Sequence, residues 1–369
     1  MDLLVTLVPG LEGVSIQEAE EITGETASKV FEGALKAQGD QEDVFKLNYL
    51  GKTFHRVYID LAEGEFEGLD EIYEDILSVN FADYIYPTQS FAVRSEIEGE
   101  QDFSSMDLER KVGQAVVDSF KEEKGERLEV DLDDPNLVFK IIIKKDKFFF
   151  GLDTTGEHSL KERGYRSYDH PSKIDPTIAS AMIKLSGWKK EDSFTDLMCG
   201  SGTIPIEAVH RANKIPNWFR DDYAFWRFFF LNREDLLEKQ EEIDDSTESN
   251  KLSVYGFDKV TKHIKGAEEN AEKARVDYTT IFTKSDSTKE VLDYDYIVTN
   301  FPYSKRKGNK EKAKEIYEKL LENIKKYEWE RAVFLVGFPE VFPSEDLKLV
   351  KAIDLDYGEN NSSVLVIEK

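Results

Sequence analysis

Hydrophobic residues in the first part of the chain recur with two spacings, one typical of strands and the other of helices. Short apolar runs predict strands at 3–8, 44–49 and 55–61, and helical spacing predicts a helix over 14–22. An amphipathic pattern over 70–79 predicts a second helix. Together these elements indicate a small α/β unit at the N-terminus.

The same two spacings continue beyond residue 90 and predict a second set of elements. Helical spacing predicts a helix over 107–120, and apolar runs predict strands at 90–94, 128–132, 137–144 and 147–152. The last two strands follow each other so closely that they form a predicted hairpin. This order of elements indicates a compact α/β domain rather than a series of β-α-β units.

A segment rich in charge, with glycine and proline, follows over 156–175 and is expected to act as a hinge. Beyond it, strands and helices alternate regularly, as a doubly wound α/β sheet requires. The predicted helices lie at 177–185, 204–213, 260–273 and 312–326. The predicted strands lie at 193–197, 252–257, 294–299 and 331–336, followed by an antiparallel hairpin at 349–356 and 363–368.

The composition limits the class of protein. The chain has 369 residues, of which 40% are hydrophobic, enough for two or three folded domains. No apolar stretch approaches the roughly 18 residues of a membrane helix, and the N-terminus lacks the basic start of a signal peptide. A single cysteine excludes an internal disulfide, so a cytoplasmic protein is expected. The five histidines are scattered rather than spaced as metal ligands, so no metal is expected.

The formal net charge is −26. Because proteins neutralise phosphates with lysine and arginine, this balance argues against a general affinity for nucleic acids. Net charge is an average over the whole chain, however, and a local basic face can still steer RNA. Acidic residues are concentrated between Glu234 and Glu248, which we expect to form a solvated helix end or loop.

The segment from Asp196 to Thr203 joins a predicted strand to a predicted helix, where open α/β sheets bind ligands. Gly200 and Gly202 allow a tight turn and a close approach of the backbone to a cofactor, although an ordinary turn also uses glycine. The third glycine of a dinucleotide fingerprint is missing, and there is no Gly-Lys-Ser/Thr of a P-loop. We interpret Cys199 as a small residue of this loop rather than as a nucleophile.

Two further carboxylates follow the next two strands of the alternation. Asp258 can accept hydrogen bonds from both hydroxyls of a ribose. It can also cap the next helix, and the two roles are compatible. Asp286 is placed to contact an adenine amino group, although by itself a surface turn is the simpler explanation for this residue.

The most informative motif is Asn300-Phe301-Pro302-Tyr303, at the end of the following strand. An exocyclic amine on a base is a poor nucleophile because its lone pair is delocalised into the ring. The Asn300 amide oxygen and the Pro302 carbonyl can accept hydrogen bonds from the two amine hydrogens, which directs the lone pair toward a methyl donor. Tyr303 can stack on a base taken out of its helix. A proline-turned strand end with a core tyrosine explains this motif alone, but all four motifs in order favour the chemical interpretation.

In this order the four motifs resemble those of class I S-adenosylmethionine methyltransferases that modify exocyclic amines. The longer stretch from Asp196 to Ala208 resembles RNA guanine-N2 methyltransferases that carry a THUMP domain. Val8 to Glu12 resembles the start of the ferredoxin-like domain that precedes THUMP in these proteins. Further segments resemble a THUMP domain in its usual order, at 91–94, 112–115, 130–132, 151–153 and 161–166.

The resemblance implies an α/β protein of several parts. These are a ferredoxin-like domain at 1–64, a THUMP RNA-binding domain at 65–158, a linker at 159–175 and a Rossmann-like methyltransferase domain at 176–369. The last would contain a seven-stranded sheet with an antiparallel C-terminal hairpin. The catalytic residues would be Asn300, Pro302 and Tyr303. The residues expected to hold S-adenosylmethionine are Asp196, Cys199, Gly200, Gly202, Thr203, Asp258, Asp286 and Asn300.

The resemblance also narrows the substrate through Asn300. Relatives that methylate the guanosine at position ten of tRNA usually have Asp at this place. Asn-x-Pro-Tyr resembles enzymes that form N2-methylguanosine at position six of the tRNA acceptor stem, or related bacterial rRNA enzymes. We favour tRNA, held by its acceptor stem and 3′ end, and expect a monomer. The alternatives are an rRNA enzyme, a DNA or protein N-methyltransferase and a non-catalytic RNA-binding module.

Basic residues in the predicted linker and just after the catalytic motif are expected to contact RNA phosphates. They are Lys161, Arg163, Arg166, Lys305, Arg306 and Lys307. An exposed, lysine-rich helix start explains the second group equally well.

Overall fold

The computed structural model of the protein describes residues 1–217, 222–289, 293–302, 309–345, 347–357 and 360–369. Within these ranges the chain forms two mixed β-sheets, one in each half, with helices packed on them. The α/β class expected from the sequence is therefore confirmed. Among the described helices, none combines the length and the apolarity that crossing a membrane requires.

The first half of the chain contains four helices and one sheet. The helices are α1 (Glu12–Thr23), α2 (Gln41–Leu50), α3 (Leu69–Leu77) and α4 (Ser105–Lys124). The strands are β1 (Asp2–Leu7), β2 (Ala27–Phe31), β3 (Ala34–Gln38), β4 (Phe54–Glu65), β5 (Ser90–Glu98), β6 (Glu129–Val130), β7 (Leu137–Lys144) and β8 (Lys147–Asp153). Their order in space is β2-β3-β1-β4-β8-β7-β5-β6. Only β5 pairs in parallel within these residues, with β6 and with β7.

Strand β4 makes this sheet continuous between the two regions that the sequence divides at residue 64. Its first part pairs with β1, and it pairs with β8 from Tyr58 opposite Asp153 to Glu65 opposite Lys147. The predicted ferredoxin-like and THUMP regions therefore share one hydrogen-bonded sheet. Such a sheet restricts their relative movement, because separating them would break a strand ladder.

The segment 44–49 is helical, so the strand predicted there is wrong. It lies in α2, whose N-terminus is capped by Asp40. The Asp40 carboxylate accepts hydrogen bonds from the backbone N–H groups of Glu42 and Asp43, at 2.8 and 3.1 Å. A short buried apolar run does not by itself distinguish a helix from a strand. The hairpin of β2 and β3 was not predicted either, since β2 is half-buried or exposed and carries no apolar alternation.

The second half of the chain forms the other sheet. Its helices are α5 (Pro176–Ser186), α6 (Thr203–Ala212), α7 (Arg233–Asp245), α8 (Thr261–Lys273) and α9 (Asn309–Ile324). Its strands are β9 (Phe194–Asp196), β10 (Val254–Asp258), β11 (Thr280–Lys284), β12 (Tyr296–Asn300), β13 (Arg331–Val336), β14 (Lys348–Tyr357) and β15 (Asn360–Glu368). In the described residues their order is β11-β10-β9-β12-β13-β15-β14, and β15 runs antiparallel to both neighbours. The direction of winding reverses between β9 and β12, where open α/β sheets bind ligands.

The acidic run from Glu234 to Glu248 begins within α7, which matches the expected solvated helix. Leu236 is the side chain of α7 that is buried, and most of the others are exposed. The Tyr49 hydroxyl donates a hydrogen bond to Asp244 at 2.7 Å. Helix α7 also contacts the N-terminal half through Gln240, whose Nε2 donates to the same hydroxyl at 3.3 Å, and through Lys239, which lies 3.5 Å from Glu42. Most of its carboxylates stay exposed to water.

A buried polar cluster joins the two halves of the chain. Arg163 Nε donates to Glu207 Oε1 at 3.2 Å, and both side chains are almost completely buried. Glu207 also accepts hydrogen bonds from the Tyr165 hydroxyl and from Ser180 Oγ, each at 2.9 Å. Arg163 Nη2 donates to the carbonyl of Lys52 at 2.6 Å. The predicted linker is thus fastened to both halves by a charged pair that water does not reach.

Candidate active site

A cavity of about 950 Å³, measured with its open mouth, lies where β9, β10 and β12 end. Most of the residues predicted to hold a cofactor line it together: Asp196, Cys199, Gly200, Thr203, Asp258, Asp286 and Asn300. Pro302 of the predicted catalytic motif also lines it.

The loop between β9 and α6 approaches its neighbours so closely that it requires glycine. Gly200 and Gly202 have φ angles of 51° and 80°, in the left-handed region that other residues rarely adopt. A Cβ atom on Gly202 would lie 3.0 Å from the side chains of Ala267 and Phe282. The loop therefore packs directly onto α8 and β11, and its backbone forms one wall of the cavity.

Asp258, at the end of β10, holds this loop against the start of α8. The backbone N–H of Gly200 donates to its Oδ2 at 3.2 Å, and that of Val260 donates to its Oδ1 at 2.8 Å. The imidazole of His263 lies 3.1 Å from the same Oδ1. The carboxylate thus orders the local backbone and also lines the cavity, so it retains lone pairs for a ligand.

Asp286 lies in the loop after β11, and its carboxylate is held in the ionised form. The hydroxyl and the backbone N–H of Thr288 donate to Oδ1 at 2.6 and 3.2 Å, and they lower the pKa of Asp286. The neighbouring Ser287 hydroxyl donates to the carbonyl of Leu197 at 2.7 Å. That bond ties the Asp286 loop to the loop after β9, so the two walls of the cavity are fixed relative to each other.

Two titratable groups lie on the floor of the cavity. Burial raises the pKa of Asp196 to about 7, although the backbone N–H of Met198 donates to its Oδ1 at 3.1 Å. Burial also raises the pKa of the Cys199 thiol well above its ordinary value, which keeps it protonated and a weak nucleophile. Among the described residues, no group of three or more His, Cys, Asp or Glu side chains could hold a metal ion.

Asn300 ends β12 and presents an unused acceptor. Its Oδ1 is buried and has no hydrogen-bond partner among the described residues. Leaving a buried acceptor unsatisfied costs about 1–3 kcal/mol, so such an atom in a cavity points to a ligand that donates a hydrogen bond. Phe301 is fully buried and packs on Tyr317 with ring centroids 4.7 Å apart, which anchors the motif in the core. Tyr303 lies outside the described residues.

A second wall of the cavity comes from the predicted linker, which no motif of the sequence places at the site. We call residues 166–174 the strap. Asn270 of α8 holds it: its Oδ1 accepts from the N–H groups of Ser167 and Tyr168 at 2.8 and 3.0 Å. Its Nδ2 donates to the carbonyls of Tyr168 and Ser201 at 3.0 and 2.9 Å. The strap is therefore fixed to the loop that follows β9.

His170 is the strap residue that lies nearest this loop. A Cβ atom on Gly200 would meet its ring at 3.3 Å, and the ring stands almost perpendicular to that of His263, with centroids 4.2 Å apart. Burial lowers the pKa of His170, so the ring is neutral at neutral pH. The strap has neither strand nor helix spacing. The sequence therefore contains no indication that His170 lies against the loop that Asp258 holds.

The basic residues predicted to contact RNA have different surroundings. Lys161 is exposed, and no ion pair joins it to another described residue. The prediction that Arg163 contacts RNA is wrong. Its buried guanidinium is paired with Glu207, so it does not reach RNA phosphates. Arg166 is half-buried and fastens the strap, donating to the carbonyl of Ile174 and, at 3.1 Å, to Thr203 Oγ1. The three basic residues at 305–307 lie outside the described residues.

Two family models match the chain in agreement with this architecture. The THUMP domain matches residues 66–153, and the RMKL-like methyltransferase domain matches residues 163–344. The fold and the site thus define a methyltransferase that carries a THUMP domain.

Relatives over nearly the whole chain give a more specific assignment. The chain is 37% identical to the tRNA (guanine(6)-N2)-methyltransferase of Methanocaldococcus jannaschii, over 88% of its own length and 87% of the relative's. It is 36% identical to the protein of the same name from Archaeoglobus fulgidus, over 87% and 79% of the two chains. A possible methylase from Clostridium difficile superposes with a TM-score of 0.90 at 26% identity, over 100% and 97% of the two chains. The chain belongs to the tRNA (guanine(6)-N2)-methyltransferase family.

Proposed function

We propose that the protein transfers a methyl group from S-adenosylmethionine to N2 of the guanosine at position 6 of tRNA. The observation that carries this proposal is the buried Oδ1 of Asn300, which has no partner within the part of the chain that the structure describes and lies in a cavity whose other walls suit a nucleoside. The names of the two archaeal relatives support tRNA rather than rRNA, DNA or protein as the substrate. The intact cofactor loop disfavours a module that only binds RNA.

The residues of the cavity fit S-adenosylmethionine. Asp258 offers carboxylate lone pairs to ribose hydroxyls, and the ionised Asp286 offers an acceptor to an adenine amino group. The positive φ of Gly200 allows the tight turn that brings the backbone of this loop to the wall of the cavity. When bound, this cofactor supplies an electrophilic methyl group on a positively charged sulfur. A cationic ligand also favours the ionised form of Asp196, whose pKa burial raises.

The catalytic contribution of the chain is to position the amine. The Asn300 Oδ1 and the Pro302 carbonyl accept the two hydrogens of N2, which fixes the plane of the amino group. The nitrogen lone pair is then directed toward the methyl donor, and holding reactants in this geometry lowers the barrier. Burial raises the pKa of the Cys199 thiol and makes it a weak nucleophile, which agrees with a direct transfer that needs no covalent bond between the enzyme and the base. Tyr303 is expected to stack on the guanine.

The N-terminal half is expected to bind the substrate RNA. The THUMP-matched residues are expected to hold the acceptor stem and 3′ end, with Lys161 and the basic residues at 305–307 close to phosphates. One such half and one catalytic half suffice for the reaction, so we expect a monomer that acts in the cytoplasm.

Incubation of the protein with labelled S-adenosylmethionine and unmodified tRNA transcripts should yield N2-methylguanosine, detected by nucleoside mass spectrometry. A transcript in which the guanosine at position 6 is replaced by adenosine, with its partner changed to uridine, should accept no label there. Label in the altered transcript would show that the enzyme methylates another nucleotide. No label in any tRNA, with cofactor binding intact, would contradict the proposal and favour rRNA.

Asp258→Ala should weaken the binding of S-adenosylhomocysteine at least about tenfold, because hydrogen bonds to a charged group contribute about 1.5–3 kcal/mol. Titration calorimetry measures this directly. Asp258→Asn keeps one acceptor oxygen and should lie between the alanine variant and the wild type. Glu268→Ala, which removes an exposed carboxylate of α8, is the matched control. An unchanged dissociation constant for Asp258→Ala would remove this residue from the cofactor site.

A further inference from the structure

The crevice between β9 and β12 lies beneath both the cofactor loop and the catalytic motif. Within the described residues the ladder between these two strands pairs Tyr296 with Phe194 and Ile297 with Thr195, and it goes no further. Such a crevice is expected where the direction of winding of an open α/β sheet reverses. The floor of the cavity therefore begins where the backbone pairing of β9 and β12 ends.

The side chain of Thr299 bridges this crevice. Its Oγ1 accepts a hydrogen bond from the backbone N–H of Leu197 at 2.9 Å. The same hydroxyl donates to the carboxylate of Asp196. Thr299 is completely buried, so one hydroxyl group uses its acceptor and its donor on two consecutive residues of the chain that leads into the cofactor loop.

Thr299 also precedes the catalytic Asn300 directly. On one side this end of β12 is held by β13, because Asn300 lies opposite Leu335 and the backbone N–H of Phe301 donates to the Leu335 carbonyl at 3.0 Å. On the other side, where β9 and β12 are no longer paired beyond Ile297, the connection is made by the Thr299 hydroxyl. The position of the Asn300 amide relative to the cofactor loop therefore depends on this hydroxyl.

Asp196, the acceptor of this bond, lies on the floor of the cavity and is 2% exposed. Burial raises its pKa to about 7 and the charge of Asp258 adds to the effect, whereas the bonds from Met198 and Thr299 oppose it. Both forms of the carboxyl group are therefore populated at neutral pH. A cofactor that carries positive charge binds more tightly to the ionised form, which the Thr299 hydroxyl favours.

Other titratable groups line the same cavity. They are His170, Lys173, Cys199, Asp258, Lys259, His263 and Asp286. Burial lowers the pKa of His170 and raises that of Cys199, and the hydrogen bonds from Thr288 lower that of Asp286. These three shifts move the groups away from the range between pH 7 and pH 9, in which the charge of Asp196 should change.

We propose that Thr299 is a positioning residue of the reaction, whose hydroxyl joins the floor of the cofactor cavity to the strand that carries Asn300. This inference rests on the proposed function, because it takes S-adenosylmethionine as the methyl donor. Thr299 acts on the cofactor through Asp196 and on the amine through Asn300. Cofactor affinity and placement of the amine thus depend on one buried side chain.

Calorimetric titration of the full-length protein with S-adenosylmethionine, at pH 7 and at pH 9, tests the effect on the cofactor. Thr299→Val removes the bond to Asp196, so the carboxyl group keeps its proton to a higher pH. The variant should bind about fivefold more weakly than the wild type at pH 7 and equally at pH 9. Thr299→Ser keeps the hydroxyl and should behave as the wild type. Asp196→Asn has no carboxyl group at this place and should lose the dependence on pH.

Thr195→Val is the matched control. Thr195 directly precedes Asp196 on β9 and is as deeply buried as Thr299, but its hydroxyl has no hydrogen-bond partner in the part of the chain that the structure describes. The same replacement of a hydroxyl by a methyl group should therefore leave cofactor affinity and its pH dependence as in the wild type.

Turnover on tRNA at saturating S-adenosylmethionine tests the effect on the amine. Thr299→Val should lower kcat about tenfold and leave KM for tRNA unchanged, and Thr299→Ser should restore kcat. An unchanged kcat overturns the inference. So does a cofactor affinity that is unchanged at pH 7, or one that falls by the same factor at both pH values, as a merely structural defect would cause. Failure of the proposed function is distinguishable, because the wild type would then form no N2-methylguanosine while the pH dependence of cofactor binding would persist.

Discussion

Asn300→Ala is expected to lower kcat by about a hundredfold while leaving the dissociation constant of S-adenosylhomocysteine nearly unchanged. The alanine removes the buried Oδ1 that has no partner among the described residues, and with it one of two acceptors for the amine. The lone pair of N2 is then no longer directed toward the methyl donor. Single-turnover methylation of tRNA, with calorimetry for cofactor binding, measures the two effects separately.

Asn300→Asp is the informative companion to this variant. It keeps an acceptor oxygen at the same place and should retain more turnover than Asn300→Ala. Equal loss in both variants would show that the amide group, rather than an acceptor, is needed. Wild-type turnover in Asn300→Ala would exclude Asn300 from the mechanism and leave its unpaired oxygen unexplained.

Arg163→Met should lower the free energy of unfolding by about 3–5 kcal/mol, because it leaves the charge of Glu207 buried without its partner. Chemical denaturation at pH 7 measures this change. Lys173→Met is the matched control: it removes an exposed pair with Asp169, at 2.8 Å, and should cost less than about 1 kcal/mol. Arg163→Met/Glu207→Gln, which removes both charges, should recover part of the loss. A change in Arg163→Met as small as in the control would contradict the burial of this pair.

The same pair predicts a dependence of stability on pH. Burial alone would raise the pKa of Glu207, but the charge of Arg163, the other positive neighbours and the hydrogen bond from Tyr165 together outweigh it and lower the pKa to about 2. A carboxyl group with a lowered pKa contributes stability above its ordinary pKa of 4.5, and this contribution is lost as the pH falls toward 2. In Arg163→Met this carboxyl group is protonated more easily, so the difference in stability from the wild type should narrow below about pH 4.

The catalytic half was predicted well because its elements have long and regular patterns. The strand predicted at 331–336 has the same bounds in the structure, and the loops after β9, β10 and β12 meet as the order of motifs requires. Parallel strands end at a common edge, so residues far apart in sequence can be placed together from the pattern alone.

The remaining features of the fold and the site depend on tertiary contacts that the hydrophobic pattern of the sequence does not reveal. The run at 44–49 fits a strand or a buried helix, and the cap by Asp40 decides between them. Arg163 has the composition of an RNA contact, and only its tertiary pairing with Glu207 shows that it is buried. Likewise His170 reaches the cavity through the hydrogen bonds of Asn270, a residue about a hundred positions away.

The strap limits where such a protein could have been assembled from separate genes. A methyltransferase half that began at α5 would lack His170, Ser172, Lys173 and Ile174, and with them one wall of its cavity. The family model of this half begins at residue 163 and so includes the strap. A fusion that joined an RNA-binding half to an ancestral enzyme at residue 176 would therefore have left that enzyme with an open cofactor site. An exchange of N-terminal halves between relatives is therefore expected to preserve the cavity only when the junction lies upstream of residue 166.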